Sequence, residues 1–507
     1  MNPIGGFSIP EGPQKPGRTG PTSDKPLIPQ DRLETTPAAQ TGLLKPGLVK
    51  SAPTLKQDSP RPYPTAPEDL SKGSALANLS SKSTNKAAAP LLPATLAECL
   101  AHLEKPPRAA EDAQPTPDGW KLPANPNSTP LRPRDLFDIP IGTEDLGSLR
   151  IVASSHGRIR ALRIQWPEEF QEPAFGAQKA VIIDLCTRLP QDVHFEVVAE
   201  GLAAAALPAL FLEWNLPLER IHIHPLHLHS TPEQIYHPMT MWARDGAVLL
   251  RTADQKEVLL LPRSFRGDCQ VDPKLNRHVV QGTGAAPACL SRSLPELIVR
   301  RSQLGFEGGD VVASRHSVLI GGEVVARNMS DLKLSKDAVL ELFREQFGLP
   351  IHVVSPPPEF HLDLGFTFLD DQTIAVADPG EGLKLAQGDP TLTRLVQATL
   401  DKGVVEKYQR AAQQLTAVGY QVVRLPNLCG VGLATPYLTY NNVLLENYPG
   451  VKRVYLPVYD TPSLDDCARA IYRGHGFQVI DMPSARLSTK LWGAIRCATG
   501  DLSVSDT

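Results

Sequence analysis

The 507-residue sequence predicts a mixed α/β fold, several small strand–strand–helix–strand units gathered around one site, behind a long Pro-rich leader. Three observations predict it. Residues 1–140 hold 25 of the 49 prolines and one of the seven cysteines. From Leu149 short β-branched runs begin (LRIVAS, ALRIQW, AVIIDLC, VHFEVVA) and alternate with helical stretches such as 201–213. The same texture recurs to the end of the chain with no strict repeat. No strand is followed by GxGxxG or GxxxxGK[ST], so a doubly wound nucleotide-binding sheet is the poorer match.

Taken in order, the leader comes first. Up to Pro130 its aromatic residues are Phe7, Tyr63 and Trp120, too little large apolar surface to offset the entropy of ordering the backbone. Residues 1–140 therefore read as a disordered tether, with one candidate docking helix for a protein partner at 93–103 (PATLAECLAHL). Residues 141–507 read as a single catalytic domain. Its later strand candidates are AVLLR, VLLLP, HSVLIG, PIHVVS, TIAVAD, YQVVRLP, NVLLEN, RVYLPV and FQVIDMP, and helical periodicity marks 335–347, 391–418 and 464–474.

Composition excludes several classes. Basic and acidic residues number 16 and 14 in the leader and 35 and 41 beyond it, which is no footprint for nucleic acid. The N-terminus lacks the basic-then-apolar order of a secretory signal. The most apolar run, 201–212, is too short for a membrane span and contains Pro208. Seven cysteines without a CxxC pair argue against a disulfide framework or zinc ribbon and for a reducing, cytoplasmic compartment. The absence of GxSxG argues against a serine hydrolase.

Four distant segments each place an acid, imidazole or thiol beside a strand end: Trp242-Ala-Arg-Asp245, Phe306-Glu-Gly-Gly-Asp310, His361-Leu-Asp363 and Gly493-Ala-Ile-Arg-Cys497. Alternation along a strand would send His361 and Asp363 to one face, with Gly365-Phe-Thr-Phe-Leu as buried body. Gly308 and Gly309 permit positive φ and a close approach. Singly, each segment reads equally well as a turn or a core residue. Together they suit the hydrolysis of a guanidinium: carboxylates grip a flat cation with paired hydrogen bonds, a thiolate adds to its central carbon, and histidine moves the protons. No metal or cofactor is required.

With these residues the sequence resembles the guanidino-group-modifying enzymes of the pentein, or α/β-propeller, superfamily, and in motif order it is similar to agmatine deiminase and peptidylarginine deiminase-like enzymes. Trp242–Asp245 resembles their W-x-R-D, Glu307-Gly-Gly their E-G-G, His361-Leu-Asp363 their H-x-D, and Cys497-Ala-Thr their nucleophile segment. Thr439–Asn447, Val454–Tyr459, Asp465 and Ala468 follow the family order Y-x-N, V-P strand, D-x-x-A, so the resemblance covers about 148–505.

The resemblance implies a propeller of about five units and a deiminase releasing ammonia from arginine, agmatine or peptidyl-arginine. It implies Cys497 as nucleophile, His361 as general acid/base, Glu307 as a catalytic residue that positions His361 or shares substrate binding, and Asp245 and Asp363 on the guanidinium, with Asp310, Asn442, Arg244 and Trp242 around the pocket. Arg496 stands where many agmatine-deiminase-like members have His; it pairs either with a substrate carboxylate or with a core acid. Asp245 is followed by Gly246-Ala247, where Gly-Pro or Pro-Phe is expected. Two alternatives stay open, an amidinotransferase on the same scaffold and a binding protein that uses the leader to dock. Finally, His222, His224, His227 and His229, with His237 nearby, invite a metal, but no acidic or thiol ligand sits at useful sequence spacing and Pro225 interrupts the strand. A polar strand and loop is the preferred reading.

Overall fold

The structure is a computed structural model describing residues 139–506 apart from 168–173, 227–233, 238, 264–268, 273–276, 430–436, 489–490 and 492. All of these fall within the unit Ala77–Thr507. The leader expected over 1–140 (but for its last two residues), the 93–103 helix, His227 and His229 lie outside the described residues. Ile139 is already buried, and the backbone of Pro140 and Gly142 is hydrogen-bonded to that of Arg301.

The fold is mixed α/β, and one module recurs five times: an antiparallel strand pair, then helix, then a strand parallel to the second strand of the pair. The chain enters through β1 (Leu149–Ile151), which lies on the edge of the second module. The first module contains β2 (Arg158–Trp166), α1 (Ala174–Arg188), β3 (His194–Glu200), α2 (Gly201–Glu213) and β4 (Ile221–Leu226). After β5 (Gln234–His237) the second follows as β6 (Val248–Thr252), β7 (Glu257–Leu261), β8 (Cys269–Asp272), β9 (Arg277–Gln281), α3 (Gly282–Ser293) and β10 (Ile298–Arg301). β5, β9 and β8 form a separate small sheet.

The third module is β11 (Val311–Ala313), β12 (Val318–Gly321), α4 (Gly322–Leu332), α5 (Lys336–Phe347) and β13 (Ile351–Val354). The fourth is β14 (Phe366–Phe368), β15 (Thr373–Asp378), α6 (Pro379–Leu385), α7 (Thr393–Lys402), α8 (Val404–Val418) and β16 (Gln421–Pro426). The fifth is β17 (Leu444–Tyr448), β18 (Val451–Pro457), α9 (Pro462–Gly474) and β19 (Gln478–Met482). Two single turns, α10 (Ala485–Ser488) and α11 (Ile495–Ala498), lead into β20 (Gly500–Ser505), which pairs antiparallel with β2 and so supplies the missing first strand of the first module.

Local chemistry explains the punctuation. Ser335 caps α5 by accepting from the Ala338 amide, and Gly348 ends it in the left-handed region. The helix expected over 391–418 is two helices, because Gly403 at φ +56° breaks it between α7 and α8. β17 turns into β18 through Pro449-Gly450 with Gly450 at φ +79°. Each module packs helices on sheet; Phe343 and Phe347 of α5, for example, close on Phe306.

Candidate active site

The site is built from the turns that lead into the first strand of each module. Ala243–Gly246 is a 3₁₀ turn before β6, Gly308–Asp310 another before β11, Leu362–Leu364 a third before β14, and α11 carries Cys497 into β20. Asn441 and Asn442 precede β17. Strand alternation therefore does not place His361 and Asp363: His361 is the extended residue before a helical turn and Asp363 lies within it, while Phe366–Phe368 forms the buried strand beyond. Gly308 and Gly309 do not use positive φ. They are needed for proximity. A Cβ on Gly308 would collide with the Arg244 carbonyl oxygen, and one on Gly309 would stand 2.5 Å from Nδ1 of His361.

Five side chains converge in the buried interior. His361 Nε2 is 2.6 Å from Glu307 Oε2, and its Nδ1 is 4.0 Å from Asp245 Oδ1. The Cys497 thiol faces both oxygens of Asp363 at 3.8 Å. Asn442 fixes the nucleophile turn: its Oδ1 accepts from the amides of Ala494 (3.1 Å) and Cys497 (3.0 Å), and its Nδ2 reaches Sγ (3.1 Å) and the Asp363 carbonyl (3.3 Å). Trp242 lies against Gly493, where a Cβ would strike both its ring and the Cys497 Cβ.

Burial dominates the electrostatics. It pushes the Cys497 thiol up to about 12; Asp363 adds to the rise and His361 opposes it. It also raises Asp363, against the pull of His361, Arg244 and Arg496. Asp310, up to about 6 through burial and the nearby Glu307, is opposed by His361 and Arg327. Asp310 does not touch the thiol: its Oδ2 accepts from the Glu307 amide (2.8 Å) and faces Arg327 (3.5 Å).

The two site arginines are occupied. Arg244 donates to the carbonyls of Gly308 (3.1 Å) and Val311 (3.2 Å) and to Asp501 (3.3 Å). Arg496 holds Asp501 with both terminal nitrogens, at 2.9 and 2.7 Å, so of its two expected partners the structure shows the core acid. Asp501 is a residue that sequence reasoning missed. So is the fully buried Arg163, which donates to the Ala243 carbonyl at 2.5 Å. Asp465 of the D-x-x-A segment plays a structural part, accepting from Tyr440 Oη and from the amides of Tyr459 and Thr461.

Two groups bear on metals. Ligand atoms of Asp245, Glu307 and His361 lie within 4.8 Å of one another, a donor set that suits a divalent cation as well as an organic one. In the other, His222 and His224 share a strand face as expected. Both imidazoles are bonded to one carboxylate across the sheet, Glu196, at 2.8 and 2.5 Å, a partner that sequence spacing hid. Among the described residues no helix is long and apolar enough to cross a membrane.

No protein-family model and no curated protein matches the chain. Solved structures do. Agmatine deiminase of C. jejuni superposes with a TM-score of 0.50 at 14% identity, over 70% of this chain and 97% of that one. Agmatine deiminase of Enterococcus faecalis gives 0.50 at 13% identity, over 72% and 98%. A provisionally assigned arginine deiminase of Porphyromonas gingivalis gives 0.50 at 18% identity, over 70% and 98%. These identities speak to architecture: the chain has the fold of these solved deiminase structures.

Proposed function

We propose that this protein is a guanidino-group deiminase, a C–N hydrolase that converts the guanidinium of agmatine, arginine or a peptidyl arginine to a ureido group and releases ammonia. One observation carries the reading: from four module-entry turns, Cys497 faces Asp363, and His361 lies between Glu307 and Asp245. The agmatine deiminases of this fold support it, and so does the order of modules, which we infer close around the site as a five-unit propeller within 141–507.

Asp245 and Asp363 would accept from the N–H groups of the substrate cation. Its positive charge offsets the carboxylate that raises the thiol, so Cys497 passes its proton to His361 and Sγ bonds to the central carbon. His361, oriented by Glu307, returns a proton to the departing nitrogen; the C–N bond breaks and ammonia leaves a thiouronium on Cys497. A water then gives a proton to His361 and adds to that carbon, the C–S bond breaks, and the ureido product departs. Asn442 holds the nucleophile turn throughout. The test is ammonia and ureido-product formation from agmatine, arginine, methylated arginines and arginine peptides, with and without chelator. Turnover of at least one, abolished by Cys497→Ala in folded protein and indifferent to chelator, is expected. No product from any, without an added amine acceptor, overturns the proposal.

A further inference from the structure

We infer that Asp501, four residues beyond Cys497 on β20, is a positioning residue that locks the nucleophile turn to the two acidic turns opposite it; the inference rests on the deiminase reading. Its carboxylate is buried and takes both terminal nitrogens of Arg496, the residue before Cys497, and one of Arg244, the residue before Asp245. Arg244 in turn grips the carbonyls of Gly308, in the turn that follows Glu307, and of Val311, the first residue of β11. One carboxylate thus ties three of the catalytic segments together through hydrogen bonds of defined direction, with His361 packed on Gly309 of the third.

Charge makes the tie costly to remove. Arg163 is buried beside the same cluster, packed against Gly500, with its Nη2 on the Ala243 carbonyl. Three buried guanidiniums therefore surround Asp501, which stays ionised, held below the usual carboxylate range by Arg496 and Arg244 despite its burial. A neutral side chain there leaves like charges facing each other behind Cys497 and Asp245. They separate, and the distance between sulfur and the held guanidinium goes with them. Asp501 touches no substrate, so its loss acts on the reacting geometry more than on binding.

The experiment uses the full chain with Asp501→Asn and Asp501→Glu, reading kcat and KM on a substrate that the wild type turns over, and the pH dependence of Cys497 alkylation by chloroacetamidine. Asp501→Asn is expected to lower kcat about 100-fold, the cost of a misplacement near 1 Å, with KM within about threefold. Alkylation slows in parallel, far-UV circular dichroism is kept, and Asp501→Glu recovers part of the loss. If Asp501→Asn does not fold, Arg496→Gln, which leaves Asp501 on Arg244, is expected to show the same split. Wild-type kcat and alkylation in a folded variant overturn the inference, as does a loss confined to KM or a new preference for carboxylate-bearing substrates. A wild type that turns over nothing sinks the deiminase reading instead; the alkylation profiles still decide whether Asp501 positions the thiol.

Discussion

A thiol pushed up to about 12 is protonated at neutral pH, and the groups that raise it, burial and Asp363, are those that a bound guanidinium would offset. Reactivity at Cys497 is therefore expected to depend on the charge of the reagent. Neutral iodoacetamide should react slowly, its rate climbing about tenfold per pH unit between about pH 7 and 9 as the thiolate fraction grows. A cationic haloacetamidine should react far faster with little pH dependence, as mass spectrometry of the Cys497 peptide would show; equal rates for both reagents would count against the carboxylate pair. Asp310 offers a stability test. Its folded pKa of about 6 lies above the ordinary 3.8, so folding favours the protonated form, and that contribution, present below 3.8, is lost as pH rises through about 6. Asp310→Asn keeps an oxygen for the Glu307 amide without the ionisation cost. Its Tm relative to wild type is expected to improve between pH 4 and pH 7.5. At this scale the sequence was legible where a residue's own chemistry announced it, as with Cys497, His361 and the carboxylates that the structure brings near them. Asp501 was not, because a lone aspartate in a short strand shows nothing of the two arginines that reach it, one from 257 residues away.

The elements explain why turns hold the site. A 3₁₀ turn entering a strand directs a side chain out of the sheet's end while the strand behind it stays apolar, as Asp363 does ahead of Phe366–Phe368. His-x-Asp followed by an apolar run reads equally as the start of that strand, and the register of the turn depends on Asn442 and Gly365, which are distant or silent in the sequence pattern. The two glycines of the Glu307 turn separate packing from chemistry. Gly308→Ala puts a methyl into the Arg244 backbone, which cannot swing away, so a loss of about 1–3 kcal/mol and a lower Tm are expected. Gly309→Ala presses on the His361 ring, a side chain that can rotate. Its expected signature is a kcat loss of at least about 10-fold with a smaller stability change. Equal effects on both readouts for both variants would contradict this division.

Over the whole molecule, the alternation of strand pairs and helices was visible along the sequence, whereas the closing contact was not: β20 joins β2 across more than 300 residues, and no local pattern encodes that pairing. The pairing bears on function because β20 begins three residues after Cys497, so the strand that completes the first module also anchors the nucleophile. Everything proposed for catalysis lies between Trp242 and Asp501, and the body is tied down from Ile139, whose neighbours Pro140 and Gly142 bond to Arg301 at the end of β10. A chain starting at 139 is thus expected to keep kcat within about twofold and its Tm unchanged, since every residue proposed for catalysis is retained. Starting instead at 149 removes the Gly142–Arg301 bonds and buried Ile139, and a lower Tm is expected. Loss of turnover on removing 1–138 alone would mean that the leader takes part in catalysis, and the boundary would have to move.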